Sequence, residues 1–186
     1  METLLIDIDQ CVAEFVIPFV RWANQRYDTD VPEKDPDRYY FFGDFGITNE
    51  DADRVLLDYY TEANGTIESI PGAIEAVQIL STFYDVRYCT ARPHERRDQT
   101  MVWLAEKGIL APIIHSSARQ GSKVDIVKEY GAIGIVEDNP YTASRVATAG
   151  YTCWLLDYPY NREVVEHSLI VRCYDWNHIL VRLLAR

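Results

Sequence analysis

The stretch Leu4-Leu5-Ile6-Asp7-Ile8-Asp9 places two carboxylates at the end of a short apolar run. Thr90 follows a second run, residues 86–89, and Glu137-Asp138 follow a third, residues 133–136. Short runs of this kind are typical of the buried strands of a parallel sheet. Because the carboxyl ends of such strands open into one crevice, where α/β proteins bind ligands, the sequence predicts that these polar groups meet at one site.

Patterns of strand and helix alternate along most of the chain. After a first strand at residues 3–9, we expect strands at residues 85–90, 112–115, 133–137, 152–155 and near 170, and helices at residues 73–82, 95–107, 123–130, 141–148 and close to the end of the chain. This alternation predicts an α/β fold, namely a three-layer, Rossmann-like, doubly wound parallel sheet with right-handed crossovers.

Residues 14–70 separate the first strand from the second and are too many for an ordinary connection. Helical patterns occupy both ends of this segment, and residues 28–48 between them are polar, proline-bearing and aromatic, as loops are. We therefore expect a core domain of residues 1–13 and 71–186, with a small, mainly helical cap of residues 14–70 over the carboxyl edge of the sheet.

The composition limits the kinds of function. With 186 residues, 48% of them hydrophobic, the chain can form one sizeable core. A net charge of −11 argues against binding a nucleic acid polymer, but a metal ion and a few local cations can still attract a small anion. Four cysteines without CxxC spacing indicate reduced core residues. Neither a signal peptide nor an apolar membrane span of about 18 residues is visible, so we expect a cytoplasmic protein without membrane contacts.

Asp7 and Asp9 are candidate catalytic carboxylates. One carboxylate can attack phosphorus and form an aspartyl-phosphate, while the other protonates the leaving group and later activates water. Mg²⁺ prefers hard oxygen ligands and typically takes one or two carboxylates, which Asp7 and Asp138 can supply. The Thr90 hydroxyl and the amide that follows it can hold phosphate oxygens, and the Lys123 ammonium can neutralise charge on the transferring group.

Each of these residues also has a purely structural interpretation. Thr90 can satisfy backbone groups at a strand end, Lys123 can be a surface lysine in a first helical turn, and residues 137–140 can form a helix cap. Their order, each at the end of a predicted element, favours the catalytic interpretation. Arg92 can either bind phosphate or pair with a surface acid. The aromatic residues of 39–45 can pack the cap, contact substrate or form the interface of a homodimer.

The motifs resemble those of the haloacid-dehalogenase-like (HAD-like) hydrolase superfamily, and the resemblance covers nearly the whole chain. Asp7-Ile8-Asp9 matches the first motif of that superfamily, Thr90 the second, Lys123 the third and Glu137-Asp138 the fourth. Within the superfamily, the chain most resembles the 5'(3')-deoxyribonucleotidases and their bacterial and phage relatives. The supporting stretches are residues 7–15, 70–73, 90–93, 103–104 and 159–162, with Trp176.

The resemblance implies a Mg²⁺-dependent phosphomonoester hydrolase that removes phosphate from (deoxy)nucleoside monophosphates through an aspartyl-phosphate. The resemblance implies that Asp7 is the nucleophile, that Asp9 is the acid/base, and that the phosphate ligands are Thr90, Ala91, Arg92 and Lys123. It implies that the metal ligands are Asp7, Asp138 and the Asp9 carbonyl, with Glu137 behind them. The implied substrate contacts are Phe15, Phe41, Phe42 and Phe45. Relatives usually carry glycine where this chain has Gln10. Because glycine adopts backbone conformations that other residues resist, the turn after Asp9 is expected to differ.

Other functions fit parts of the pattern. The same chemistry could act on a sugar phosphate or another small phosphorylated metabolite. The fold could also belong to a catalytically weak or inactive binding protein, although the intact set of motif residues argues against this. A phospho-signalling receiver module carries its phosphorylated aspartate on a later strand and its lysine last, whereas here Lys123 precedes the last acidic pair.

Overall fold

Six parallel strands form a sheet at the centre of the molecule. The computed structural model describes residues 1–63, 67–116, 122–164 and 166–185. The strands are β1 (Thr3–Ile6), β2 (Asp85–Thr90), β3 (Ile113–His115), β4 (Gly134–Glu137), β5 (Thr152–Leu156) and β6 (Ile170–Cys173). Their order is β3-β2-β1-β4-β5-β6, and every neighbouring pair is parallel. The predicted doubly wound α/β sheet is confirmed.

Helices pack on both faces of this sheet and complete three layers. They are α3 (Ala73–Leu80), α4 (Arg97–Glu106), α5 (Lys123–Glu129), α6 (Pro140–Thr148) and α7 (Trp176–Leu184). Helices α1 (Val16–Tyr27) and α2 (Ala52–Ala63) lie between β1 and α3 in the chain. Leu4 and Ile6 of β1 belong to a core shared with α3, α4 and α7, whereas Leu5 belongs to a second core shared with α5 and α6. Because successive side chains of a strand point to opposite faces, this split shows that β1 is buried on both sides.

The strand order reverses between β1 and β4, which lie side by side. From β1 the order runs through β2 to β3, and from β4 it runs the other way to β6. The amide of Asp7 donates a 3.0 Å hydrogen bond to the carbonyl of Val136, so the two strands stay paired up to their carboxyl ends. The loops after two strands separate at such a switch point and leave a crevice. Asp7 and Asp138 lie in those two loops.

Between β1 and α3 the chain forms α1, α2 and a short 3-10 helix at Phe42–Phe45. Pro18 lies in the first turn of α1, where its missing N–H needs no partner, so it does not interrupt the helix. The ring of Phe19 on α1 contacts Phe41, Phe42 and Phe45 at centroid distances of 5.8, 4.8 and 5.9 Å. These aromatic contacts attach the connecting loop to α1.

All four cysteines lie in the described ranges, where they are buried. No helix in the same ranges is long and apolar enough to cross a lipid bilayer. The division into a core of residues 1–13 and 71–186 and a cap of residues 14–70 stays a prediction, and residues 64–66 of that cap lie outside the described ranges.

Gly134, the first residue of β4, lies close to the backbone of β5. A Cβ atom at this position would come within 2.0 Å of the Thr152 carbonyl oxygen and 2.8 Å of the Trp154 ring. We predict that Gly134→Ala lowers the free energy of unfolding by about 3 kcal/mol or prevents folding, because relief of the clash would separate two paired strands. Urea denaturation followed by circular dichroism measures the change.

Gly43→Ala is the matched control, since nothing lies within 4 Å of a Cβ atom added at Gly43. This substitution should change the free energy of unfolding by less than about 0.5 kcal/mol. If Gly134→Ala were as stable as the wild-type protein, the close approach of β4 and β5 would be contradicted.

Candidate active site

Lys123 is the centre of a buried group of charges. It is the first residue of α5, and Ser122 before it caps this helix together with Asp125. The Lys123 ammonium lies 2.8 Å from Asp7 Oδ2 and 2.9 Å from Glu137 Oε2. All three side chains are at most 10% exposed. Helix α5 therefore brings one cation to two carboxylates, one following β1 and one ending β4.

The carboxylate and backbone of Asp138 are held by several hydrogen bonds. The hydroxyl of Tyr160 donates a 2.7 Å bond to Asp138 Oδ2, and the side-chain amide of Asn161 donates a 2.8 Å bond to the Asp138 carbonyl. Glu137 Oε1 accepts from the backbone amides of Asp138 and Asn139 at 3.3 and 3.2 Å. The Asn139 side chain in turn caps α6. These contacts fix the orientation of Asp138 in the loop after β4.

The electrostatics of the group favour a bound cation. Burial raises the pKa values of Asp7 and Asp138 above the usual range of aspartate, and the charge of Asp7 raises that of Asp138 further. Lys123 lowers both pKa values but does not offset the effect of burial. A divalent cation between the two carboxylates would relieve this repulsion.

The available ligand atoms fit such a cation. Asp7 Oδ1 is buried and has no hydrogen-bond partner among the described residues, and a buried polar atom normally has one. Ligand atoms of Asp7, Asp138 and Cys11 lie within 4.8 Å of one another. Burial raises the pKa of the Cys11 thiol, which leaves the carboxylate oxygens as the better ligands. Hard oxygen ligands of this kind suit Mg²⁺.

Thr90 is the last residue of β2, and Ala91 follows it. Thr90 is fully buried, and its hydroxyl oxygen accepts a 3.1 Å hydrogen bond from the backbone amide of Arg92. A hydroxyl that accepts one bond can still donate another, for example to a phosphate oxygen. Ala91 is exposed and, like Ser116, lines the cavity next to the charged group. The phosphate-binding roles of Thr90 and Ala91 stay predictions.

Arg92 pairs with Asp9. Its Nε lies 3.0 Å from both carboxylate oxygens of Asp9, and its Nη2 lies 2.6 Å from Oδ1. The Arg92 side chain is only 1% exposed, and its Cζ lies 4.8 and 5.9 Å from the ring centres of Tyr60 and Trp103. A forked carboxylate pair and aromatic faces are the contacts that stabilise a buried guanidinium. These donors face Asp9, so the structure shows the pairing with an acid that the sequence left open. The phosphate contact of Arg92 stays a prediction.

A cavity of about 620 Å³ connects the charged group with the segment between β1 and β2. Its polar lining includes Asp7, Asp9, Lys123 and Asp138. Its aromatic lining consists of Phe15, Tyr39, Tyr40, Phe41, Phe42, Tyr60 and Tyr160. A concave site with an apolar wall and a few convergent polar groups is typical of small-molecule sites.

Three of the four phenylalanines that were expected to contact substrate line this cavity. They are Phe15 and Phe42, which are half-buried, and Phe41, which is buried. Phe45 does not line the cavity. Its ring packs instead on Phe19 and Phe41, at centroid distances of 5.9 and 6.5 Å, so hydrophobic packing onto α1 accounts for its position.

Two tyrosines near the site, Tyr60 and Tyr160, were not among the residues predicted from the sequence. Tyr160 donates to Asp138, and its ring lies 5.8 Å from that of Tyr39 across the cavity. Tyr60 of α2 covers the guanidinium that pairs with Asp9. The only sequence signals were the family-like stretch at residues 159–162 and the apolar stripe of α2. Neither signal indicates which ring meets which charged group.

The pairing of Asp9 with Arg92 leads to a prediction about stability. Asp9→Ala leaves the buried guanidinium without its carboxylate, and an unpaired buried charge is strongly destabilising. Because Asp9 is itself 19% exposed, we expect a moderate loss, about 2 kcal/mol, in the free energy of unfolding. Urea denaturation of the purified proteins measures it.

Glu33→Ala serves as the control for this measurement, because it removes a solvent-exposed pair of similar length, Arg21–Glu33 at 2.8 Å. Its loss should stay below about 1 kcal/mol. Equal losses for the two substitutions would contradict a buried, tightly paired Arg92.

Known proteins with similar sequences carry nucleotidase names. A nucleotidase of Clostridium acetobutylicum is 22% identical over 176 residues, covering 95% of this chain and 90% of that protein. A provisionally named nucleotidase of Bacillus cereus is 28% identical over 145 residues, covering 73% of this chain and 71% of the relative. No family model matches the chain.

Solved structures with the same fold are HAD-like hydrolases. One from Streptococcus pneumoniae superposes with a TM-score of 0.73 at 12% identity and covers 98% of both chains. A HAD family hydrolase from Deinococcus radiodurans, solved with bound phosphate and sodium, gives a TM-score of 0.65 at 16% identity and covers 100% of this chain and 96% of that one. The names of these proteins support the prediction of a phosphatase. The resemblance that the four ordered motifs predicted is confirmed, and the chain has the haloacid-dehalogenase-like hydrolase fold.

Proposed function

We propose that this protein is a Mg²⁺-dependent phosphomonoester hydrolase that acts on nucleoside monophosphates, as 5'(3')-deoxyribonucleotidases do. The observation that carries the proposal is the buried group of Asp7, Asp138 and Lys123 at one end of an aromatic-walled cavity. This group supplies a carboxylate for attack on phosphorus and an ammonium for the charge of the phosphoryl group. The distant relatives named as nucleotidases support the class of substrate.

The proposed reaction has two steps at Asp7. An oxygen of the Asp7 carboxylate forms a bond to phosphorus while the ester P–O bond breaks, and the leaving alkoxide takes a proton from Asp9. A water molecule then attacks the phosphorus of the aspartyl-phosphate and gives a proton to Asp9, while the bond between phosphorus and Asp7 breaks. The alcohol and orthophosphate leave, and both carboxyl groups return to their starting states.

The surrounding residues position these two carboxyl groups. Lys123, 2.8 Å from Asp7, would neutralise negative charge that accumulates on the transferring phosphoryl group. Arg92 fixes the orientation of Asp9 through its forked hydrogen bonds. In the proposed reaction Asp9 exchanges one of these bonds for one to the leaving oxygen. The Thr90 hydroxyl and the Ala91 amide would hold the remaining phosphate oxygens.

Mg²⁺ would be held by Asp7, Asp138 and the carbonyl of Asp9. When bound, it supplies Lewis-acid stabilisation of the negative charge on the phosphoryl group. The unpartnered Oδ1 of Asp7 and the raised pKa values of both aspartates support this placement. Tyr160 would keep the Asp138 carboxylate in position through its hydrogen bond to Oδ2.

The aromatic wall supports a nucleoside as the part of the substrate beyond the phosphate. Nucleobases have flat faces that stack on aromatic side chains. Tyr39, Phe42 and Phe15 line the cavity and are each only half-buried, so part of their ring surface is accessible. A volume of about 620 Å³ falls within the usual range of small-ligand sites.

A panel of phosphate esters tests the proposal. Purified protein is given nucleoside 5'- and 3'-monophosphates, their deoxy forms and sugar phosphates, with Mg²⁺ or with a chelator, and orthophosphate release is measured. We predict chelator-sensitive release that favours the nucleotides. Asp7→Asn should lower kcat by a factor of at least about 10³, since it removes the nucleophile.

Asp85→Asn is the matched control, because Asp85 lies at the amino end of β2, at the opposite edge of the sheet. It should leave turnover unchanged. Release from sugar phosphates without a preference for nucleotides would keep the chemistry and move the substrate class to another phosphorylated metabolite. Full turnover by Asp7→Asn would contradict the nucleophile, and release from no ester would favour a binding protein.

A further inference from the structure

Gln10, directly after Asp9, has a left-handed backbone conformation that is unusual for a residue with a side chain. Its φ is +58°, and among non-glycine residues of the described ranges only Asp28 shares a positive φ. A residue with a side chain adopts this conformation less readily than glycine does. Favourable contacts of the Gln10 side chain can offset this cost.

The oxygen of the Gln10 side chain caps α1 from outside the helix. Oε1 accepts hydrogen bonds from the backbone amides of Phe15 and Val16, at 2.9 and 3.0 Å. These are two of the amides at a helix start that have no partner within the helix. No side chain at the N-cap position, Phe15, caps α1. Because Oε1 accepts both bonds, the amide group of Gln10 has a fixed orientation.

The fixed orientation directs the nitrogen of Gln10 towards the loop after α1. Nε2 donates a 3.3 Å hydrogen bond to Asp35 Oδ1. Asp35 is half-buried, and burial raises the pKa of its carboxyl group, so a donor beside it is stabilising. Asp35 lies four residues before Tyr39, which is the first aromatic residue of this loop to line the cavity. Gln10 itself is 8% exposed and also lines the cavity.

We propose that Gln10 is a positioning residue. It connects the loop that carries Asp7 and Asp9 to two segments that line the substrate cavity, namely the start of α1 and the loop after α1. Through Oε1 it sets the start of α1, which carries Phe15, and through Nε2 it sets the loop that carries Tyr39. A glycine at this position holds the same backbone turn but makes neither contact. In this chain the distance between the reacting carboxylates and the aromatic wall is therefore set by the Gln10 side chain.

The effect of the Gln10 side chain on substrate binding can be separated from the chemistry at Asp7. Gln10→Gly keeps the left-handed turn, and no hydrogen bond of the Gln10 side chain reaches Asp7 or Lys123. The kinetic part of this inference rests on the proposed function. We expect Gln10→Gly to raise KM for a nucleotide about fivefold, the equivalent of one hydrogen bond, with kcat changed less than about twofold.

Moving the negative charge from position 35 to position 10 tests the hydrogen bond between the two side chains. In Gln10→Glu the side chain still accepts from both α1 amides but loses its donor and faces the Asp35 carboxylate. KM should therefore rise at least about fivefold. Asp35→Asn combined with Gln10→Glu restores a donor, from Asn to Glu, and should return KM to within about twofold of the wild type. Lys34→Gln, exposed on the same loop, is the control and should have no effect.

Hydrogen exchange of the unliganded proteins provides a readout that does not need activity. Amides of residues 28–45 should exchange faster in Gln10→Glu and return to the wild-type rate in the double variant. If the wild-type protein hydrolysed no ester but the exchange rates followed this pattern, the contact would stand and the proposed function would fail. Unchanged exchange in Gln10→Glu, or a double variant no better than the single one, would overturn the inference.

Discussion

The structure around the site depends on the cost of burying two aspartates, Asp7 and Asp138, close together at one edge of a parallel sheet. Unpaired buried carboxylates are strongly unfavourable, and their raised pKa values express this cost. Lys123 compensates part of it through contacts of 2.8 and 2.9 Å to Asp7 and Glu137. The remaining excess of negative charge and the unpartnered oxygen of Asp7 explain why a cation and an anionic phosphoryl group together would fit the site.

The fold produces this arrangement because β1 and β4 are neighbours at the point where the strand order reverses. The loop after each strand contributes one of the buried aspartates, and the helix that precedes β4 begins with Lys123. The segment between β1 and β2 then adds an aromatic wall. Several contacts join this segment to the residues around the buried charges. The ring of Tyr39 contacts that of Tyr160, the ring of Tyr60 covers Arg92, and Gln10 donates a hydrogen bond to Asp35.

The sequence predicted well those features that depend on local pattern. Apolar runs located the strands and the aspartates after them, Asp7 and Asp138, and the start of a predicted helix located Lys123. Pairings between distant side chains were out of reach: nothing in the pattern indicates that the acid paired with Arg92 is Asp9, 83 positions away. For Phe45 the residue type was equally compatible with packing and with substrate contact, and its actual position depends on the ring of Phe19. Gln10 was recognised as a departure from glycine, but its hydrogen bonds depend on where α1 and the following loop lie.

In the proposed mechanism, Asp7 becomes phosphorylated during turnover. The most direct measurement is mass spectrometry of the peptide that contains Asp7, after the protein has been mixed with Mg²⁺ and a nucleoside monophosphate and quenched in acid within the first turnover. The account predicts that this peptide gains the mass of one phosphoryl group and that Asp7→Asn protein gains none. Hydrolysis of the ester with no label on the Asp7 peptide, or with a label on another residue, would contradict it.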